Sequence, residues 1–301
     1  MAQIAQEIDS RFARYAYQHA NNIVGVLGTD PTQFSVFNEA RQRLIELACP
    51  PGGKRGAVIA PAINTSLVPQ AASYFQPPSA ISKQYQEGAI GRYAGFDFYE
   101  SMSLWSHTAG TWAGAVSVNT TLTDGATSMI VTCTSGDTFK KGDVIGIGGR
   151  YAVNPMTRRT TNTATTKTIT VLADVTASGS TATITFSPAL YGAGSQYQNI
   201  SVIPTASDVL TLFPGTSSPN GKAGINSLVI HQDAFALVGV KLEIPKAAEM
   251  ASQTRDPDSG ISVAFIRMFD PVQRKMINRF DVLLGFGSLY SDNCAVRVLG
   301  A

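Results

Sequence analysis

The chain has 301 residues, 44% of them hydrophobic and 15% charged, with a formal net charge of +2. That composition belongs to folded, core-forming proteins and excludes a disordered or low-complexity chain. So small a charge also excludes a strongly basic nucleic-acid binder, and any contact with DNA is expected to be local and weak.

In chain order, Ile4, Ile8, Phe12, Tyr15, His19, Ile23 and Val26 recur every three or four residues and predict an amphipathic helix over 2–27. Gly28 and Asp30-Pro31 stop it; Phe34, Phe37, Leu44 and Leu47 then mark a second helix, which Pro50-Pro51-Gly52-Gly53 ends. A short buried strand is expected at 58–60, followed by helix and loop over 61–86, where Pro69, Pro77 and Pro78 interrupt any long element.

From about Thr111 to Pro204 the composition shifts to Thr, Ser, Gly and Val with few acidic residues. Six short strands are expected, at 115–118, 128–133, 143–147, 167–172, 181–186 and 200–203, separated by Asp124-Gly125, Lys141-Gly142 and Ser178-Gly179 turns. Six strands in so short a span suit a small closed barrel, which removes sheet edges. The polar stretch 150–166 reads as an exposed loop. Beyond Pro204 a possible strand at 209–212 precedes a turn-rich stretch to Gly224, then 226–230 leads into a short helix at 232–238. Residues 261–269 and 276–284 predict paired long strands around a 270–275 turn, and 295–299 a last strand. The body is thus α+β, interrupted by an all-β insertion.

Chemistry-bearing residues are few. Cys49, Cys133 and Cys294 lie far apart without CxxC or Cys/His ligand spacing and read as small buried hydrophobes, so neither metal nor cofactor is expected. His231 with Asp233 has the form of a base and its orienter, yet no G-x-S-x-G elbow supplies a serine. Asp258-Ser259-Gly260 lacks the second such loop that an aspartic protease needs. The glycines of Gly146-Ile147-Gly148-Gly149-Arg150 fit no phosphate-loop spacing. Arg150, Arg158, Arg159 and Lys167 form a small basic group on or beside the 150–166 loop, a candidate neighbour-facing or DNA-facing surface. Trp105 and Trp112 could stack a sugar, although anchoring is the commoner use of Trp. No run reaches the ~18 apolar residues of a membrane span, and Glu7 and Asp9 stand where a signal peptide would be apolar, so no membrane and a reducing cytosol are expected.

The segment Gly91-Arg92-Tyr93-Ala94-Gly95-Phe96-Asp97-Phe98-Tyr99-Glu100-Ser101, followed by His107-Thr108, resembles the P-22-like group of phage coat proteins, in which such a segment precedes an inserted domain. Lys141-Gly142-Asp143-Val144, Tyr151-Ala152-Val153-Asn154-Pro155 and Ser187-Pro188-Ala189-Leu190 are similar to parts of that insertion. Downstream, His231-Gln232-Asp233-Ala234-Phe235-Ala236-Leu237, Arg255-Asp256-Pro257 with Gly260-Ile261-Ser262, Arg279-Phe280-Asp281-Val282-Leu283-Leu284-Gly285 and Ala295-Val296-Arg297-Val298 keep the family's order.

The resemblance implies an HK-97-like capsid fold: a spine helix over 2–27, peripheral and axial domains, and an inserted small β-barrel. The parts would be 1–112, 113–204 and 205–301, with the 270–275 hairpin in the peripheral or axial body. The implied function is a major capsid protein forming hexamers and pentamers of an icosahedral head in the virion, assembled in the bacterial host cytoplasm, with no enzymatic activity. Implied partners are further copies of the chain, a scaffolding protein, a portal, and packaged double-stranded DNA through weak non-specific contact. The family carries an extended amino-terminal arm and a two-stranded loop ahead of its spine helix, whereas Met1 stands at the start of the helical pattern; the expectation is a fragment, a cleaved form or a misassigned start, or, for a complete chain, assembly without arm exchange between neighbours. A phage tail or surface β-protein binding carbohydrate is the second reading.

Overall fold

The computed structural model describes residues 2–71, 87–88, 90–161, 165–213, 221–244, 250–257 and 260–300. The chain divides into two compact units, Met1–Ala234 with Tyr290–Ala301, and Phe235–Leu289. The expectations for 72–86, for most of the turn-rich stretch before Gly224, for part of the 150–166 loop and for Asp258-Ser259 fall outside the described residues.

The first helix, Ala2–His19, ends eight residues short of the predicted 2–27. Asn22–Gly25 is instead a strand, paired in parallel with Ala295–Leu299 in register from Asn22↔Val296 to Gly25↔Leu299. Ile23 and Val26 continue the helical period, but β-branched residues serve a strand equally well, and pairing with the distant C-terminal strand decides the outcome.

Ser35–Glu46 is the second helix, burying Phe37, Ala40 and Leu44 along one face. It packs on a six-stranded sheet ordered Asn22–Gly25, Ala295–Leu299, Ser227–His231, Arg55–Ile59, Phe96–Glu100 and Arg92–Tyr93. All five residues of Ala295–Leu299 are buried, which explains their near-continuous apolar character. The last two strands of the order form a tight hairpin across Ala94 (φ 52°) and Gly95 (φ 86°), which aims Phe96 into the core. Gly95 adopts its left-handed conformation without steric cost, whereas Ala94 takes the same conformation at a cost that the hairpin pairing offsets.

Six antiparallel strands close a barrel in the order Thr166–Val171, Thr181–Leu190, Ala126–Thr132, Val116–Val118, Val209–Leu212, Val144–Tyr151. Burial alternates along Thr181–Leu190, and Val118, Met129, Val131, Ile145, Ile147, Ile169, Val171, Ile184 and Phe186 fill the interior. It is a packed core and not a ligand cavity. Five of the expected strands fall on observed ones. The sixth does not: 200–203 forms only an isolated bridge between Ile200 and Ala152, and Val209–Leu212 closes the barrel by pairing with both Val116–Val118 and Val144–Tyr151.

The second unit is a four-stranded antiparallel sheet ordered Phe235–Val240, Lys275–Ser288, Ser262–Asp270, Met250–Arg255. The predicted hairpin is present, closing at Asp270↔Lys275. The predicted helix at 232–238 is not. After a turn at 232–234 the chain becomes a strand registered from Phe235↔Ser288 to Val240↔Leu283. A short apolar run reads equally as helix or strand until a partner with free hydrogen-bonding groups lies beside it.

Candidate functional site

The four basic residues singled out in the sequence do not form one patch. Arg158 and Arg159 are exposed in the 154–160 loop, with Arg158 in a left-handed conformation (φ 54°). Arg150 turns to Asp208, Nε donating to Oδ2 at 2.7 Å and Nη2 to Oδ1 at 3.0 Å, so it staples the end of one barrel strand to the 205–208 turn. Lys167, only 8% exposed on the strand Thr166–Val171, is unavailable to a partner at that loop. Burial lowers its pKa, an effect that the charge of Asp292 opposes. The prediction counted charges by sequence proximity, whereas the strand from Lys167 to Val171 is buried on both faces and takes Lys167 with it.

Asn154 anchors the start of the loop. Its Oδ1 accepts from the Met156 and Thr157 amides, and its Nδ2 donates to Glu46 O at 2.7 Å, tying the barrel loop to the end of the second helix.

The histidines are engaged in structure. His107 Nε2 lies 2.7 Å from Asp143 Oδ1, both side chains buried, while Asp143 Oδ2 accepts the amides of Gly110 and Lys140. His19 Nδ1 bonds Tyr15 O, and burial lowers the pKa of this imidazole. His231 Nε2 is hydrogen-bonded to Gly52 O, and its Nδ1 accepts the Asp233 amide at 3.2 Å. Asp233 Oδ2 stands 3.4 Å from that Nδ1. Trp112 packs against Phe139 inside the barrel, and Arg14 covers the Trp105 ring at 4.5 Å, so the two tryptophans make no joint sugar platform.

Two features were not legible in the sequence. One is a polar seam between barrel and body. Arg297, fully buried, donates to Ala20 O and Gly142 O at 2.6 Å each and to Thr170 Oγ1 at 3.2 Å, and lies 4.0 Å over the Tyr17 ring. Burial pushes the Tyr17 hydroxyl up to about 12. The other is the convergence of Cys49, His231 and Cys294, whose potential ligand atoms all lie within 4.8 Å of one another. Cys49 is the more acidic thiol, because the hydrogen bond with Cys294 and the neighbouring Arg55 guanidinium together outweigh its burial. The three residues are 182 and 63 positions apart in sequence, so no spacing rule could have joined them.

The second unit carries the most conspicuous surface. Phe269, Met276, Ile277, Phe280 and Leu283 on its hairpin strands are exposed, as is Val272 at the tip. These strands leave large apolar side chains uncovered in the single chain.

What fold and side chains define together is a mixed α+β protein, mostly strands with few helices, carrying a small closed β-barrel and exposed apolar strands. The family described as P22 coat protein, gene protein 5, matches residues 1–298. The chain belongs to that family, a structural family of bacteriophage coat proteins. Among solved structures it is similar to a chain from Mycobacterium phage Che8, at 12% identity and a TM-score of 0.37. That match covers 100% of this chain and 61% of the other, so the chain spans about three fifths of that neighbour's length. No curated protein matches it. Among the described residues no helix is long and apolar enough to cross a membrane.

Proposed function

We propose that the chain is the shell-forming subunit of an icosahedral phage head, assembling into hexamers and pentamers around double-stranded DNA in an HK-97-like arrangement. The observation that carries this reading is the coat-family match over nearly the whole length. In this reading 1–112 and 205–301 build the capsid body and 113–204 the inserted domain, with Val209–Leu212 lent back to close the barrel. A scaffolding protein and a portal ring are the expected partners, and assembly takes place in the host cytoplasm.

A subunit that occupies many near-equivalent positions works through heterologous self-contacts, each modest and reinforced by its neighbours. The exposed apolar strands of the second unit supply area for such contacts. Arg158 and Arg159 remain candidates for a neighbour-facing loop. With a net charge of +2, the subunit is suited to loose, sequence-blind contact with packaged DNA.

The test is expression of the chain alone and together with its phage's scaffolding protein, followed by negative-stain electron microscopy. Shells or ring-shaped capsomers are expected; a strictly monomeric product under both conditions overturns the reading. Deleting 155–160 is expected to alter particle size or yield, and normal particles would remove the loop from the interface.

A further inference from the structure

Cys49, His231 and Cys294 come from three elements that the body sheet brings to one place. Cys49 follows the second helix, after Ala48 turns the chain in a left-handed conformation (φ 61°) that is costly for a residue with a side chain. His231 ends the strand Ser227–His231, and Cys294 ends the helical turn that leads into Ala295–Leu299. These two strands pair antiparallel with Ile230 opposite Ala295, so His231 and Cys294 are the next pair outward. All three side chains are buried, and their Nδ1 or Nε2 and Sγ atoms lie within 4.8 Å of one another. A tetrahedral site with Zn–S near 2.3 Å and Zn–N near 2.0 Å needs ligand separations of roughly 3.5–3.8 Å, so side-chain shifts of about 1 Å close the three groups onto an ion.

We propose that Cys49, His231 and Cys294 bind one zinc ion per chain, with the carboxylate of Asp233 as the fourth ligand.

Three further features fit this chemistry. His231 bonds Gly52 O through Nε2, the backbone-carbonyl contact that orients a metal-binding imidazole, and leaves Nδ1 for the ion in exchange for a long bond from the Asp233 amide. Asp233 Oδ2 is 3.4 Å from that Nδ1 but outside the 4.8 Å cluster of the other three, and its side chain, 47% exposed, has room to swing in as the fourth ligand and leaves a way in from solvent. Arg55 lies opposite His231 in the sheet and has a buried Nε–H without a hydrogen-bond partner among the described residues. The guanidinium already stands beside the Cys49 thiol, and a metal-bound thiolate there gives this Nε–H a full acceptor. Binding releases the two thiol protons to solvent. Two thiolates, one carboxylate and a divalent cation leave a single negative charge, which Arg55 balances. A disulfide between the two cysteines would use the same sulfurs but would give His231, Asp233 and Arg55 no part.

The test uses the full chain, reduced, stripped with a chelator and titrated anaerobically with cobalt(II). A thiolate-to-cobalt charge-transfer band saturating at one equivalent per chain is expected, and zinc should displace the cobalt. Cys49→Ser and Cys294→Ser should abolish the band and Cys133→Ser should leave it. Asp233→Asn, at a half-exposed position, should keep the fold and weaken cobalt binding about tenfold or more. Absence of the band in the folded, reduced wild-type chain overturns the proposal. So does an unchanged band in the Cys49→Ser/Cys294→Ser double variant, or isolation of the protein with these two cysteines joined as a disulfide.

Discussion

Arg297 shows how much a single side chain can carry in this fold. A guanidinium with no exposure persists because each of its faces is used, by two carbonyls, a threonine hydroxyl and an aromatic ring. Arg297→Met removes the donors and leaves Ala20 O and Gly142 O buried; urea unfolding should show a loss of roughly 3 kcal/mol. Arg297→Lys should recover little, since one ammonium cannot reach all three acceptors. Arg150 and Asp208 give a pH signature at the same scale. Burial alone would raise the Asp208 carboxyl, but the paired bonds from Arg150 and the Thr205 amide outweigh it and hold the group below its usual range. Folded Asp208 therefore binds its proton less tightly than the unfolded chain does. The stabilisation is whole above the usual carboxylate range and is lost as pH falls through the folded value. In Arg150→Met that part of the acid dependence should disappear, as urea midpoints measured across acidic pH would reveal.

At the scale of elements, the barrel is the most legible part, because alternation over short strands leaves little ambiguity and the turns carry glycine. Its last strand was misplaced for a physical reason. The 200–203 and 209–212 runs are equally apolar, and only the gap between Val116–Val118 and Val144–Tyr151 selects the second. A fragment spanning 111–213 should therefore fold by itself with dispersed amide resonances, while 111–204 should not. Within the barrel, Ile145→Ala opens a cavity in a fully packed core and should cost about 2–5 kcal/mol. The first helix and the 232–238 segment were misread by the same mechanism in opposite places: apolar residues at helical spacing became strands because an unpaired strand edge lay beside them.

For the whole molecule, the proposed function would rest on surfaces that a folded monomer leaves uncovered. Ile277 is 49% and Phe269 53% exposed on the second unit's hairpin. Ile277→Asp and Phe269→Asp should leave the subunit's own unfolding midpoint nearly unchanged. Each should weaken assembly by about 1.5–3 kcal/mol per contact made, if that side chain is fully covered in the shell. Light scattering of assembly reactions beside urea titration of the free subunit separates the two effects.

By itself the sequence determined the character of the protein: a mixed α+β chain with a small β-barrel, a hairpin at 270–275, a last strand at 295–299 and, through ordered motifs from Gly91 to Val298, membership of a coat-protein family. These are properties of local periodicity, turn chemistry and motif order, which a linear string records. Tertiary structure alone decided where the first helix stops, which strand closes the barrel, that Lys167 points inward, and that Arg297 and the Cys49, His231 and Cys294 group have partners. Each depends on residues tens to hundreds of positions apart meeting in space, and the free energy of such meetings comes from pairing and burial that no window of sequence contains.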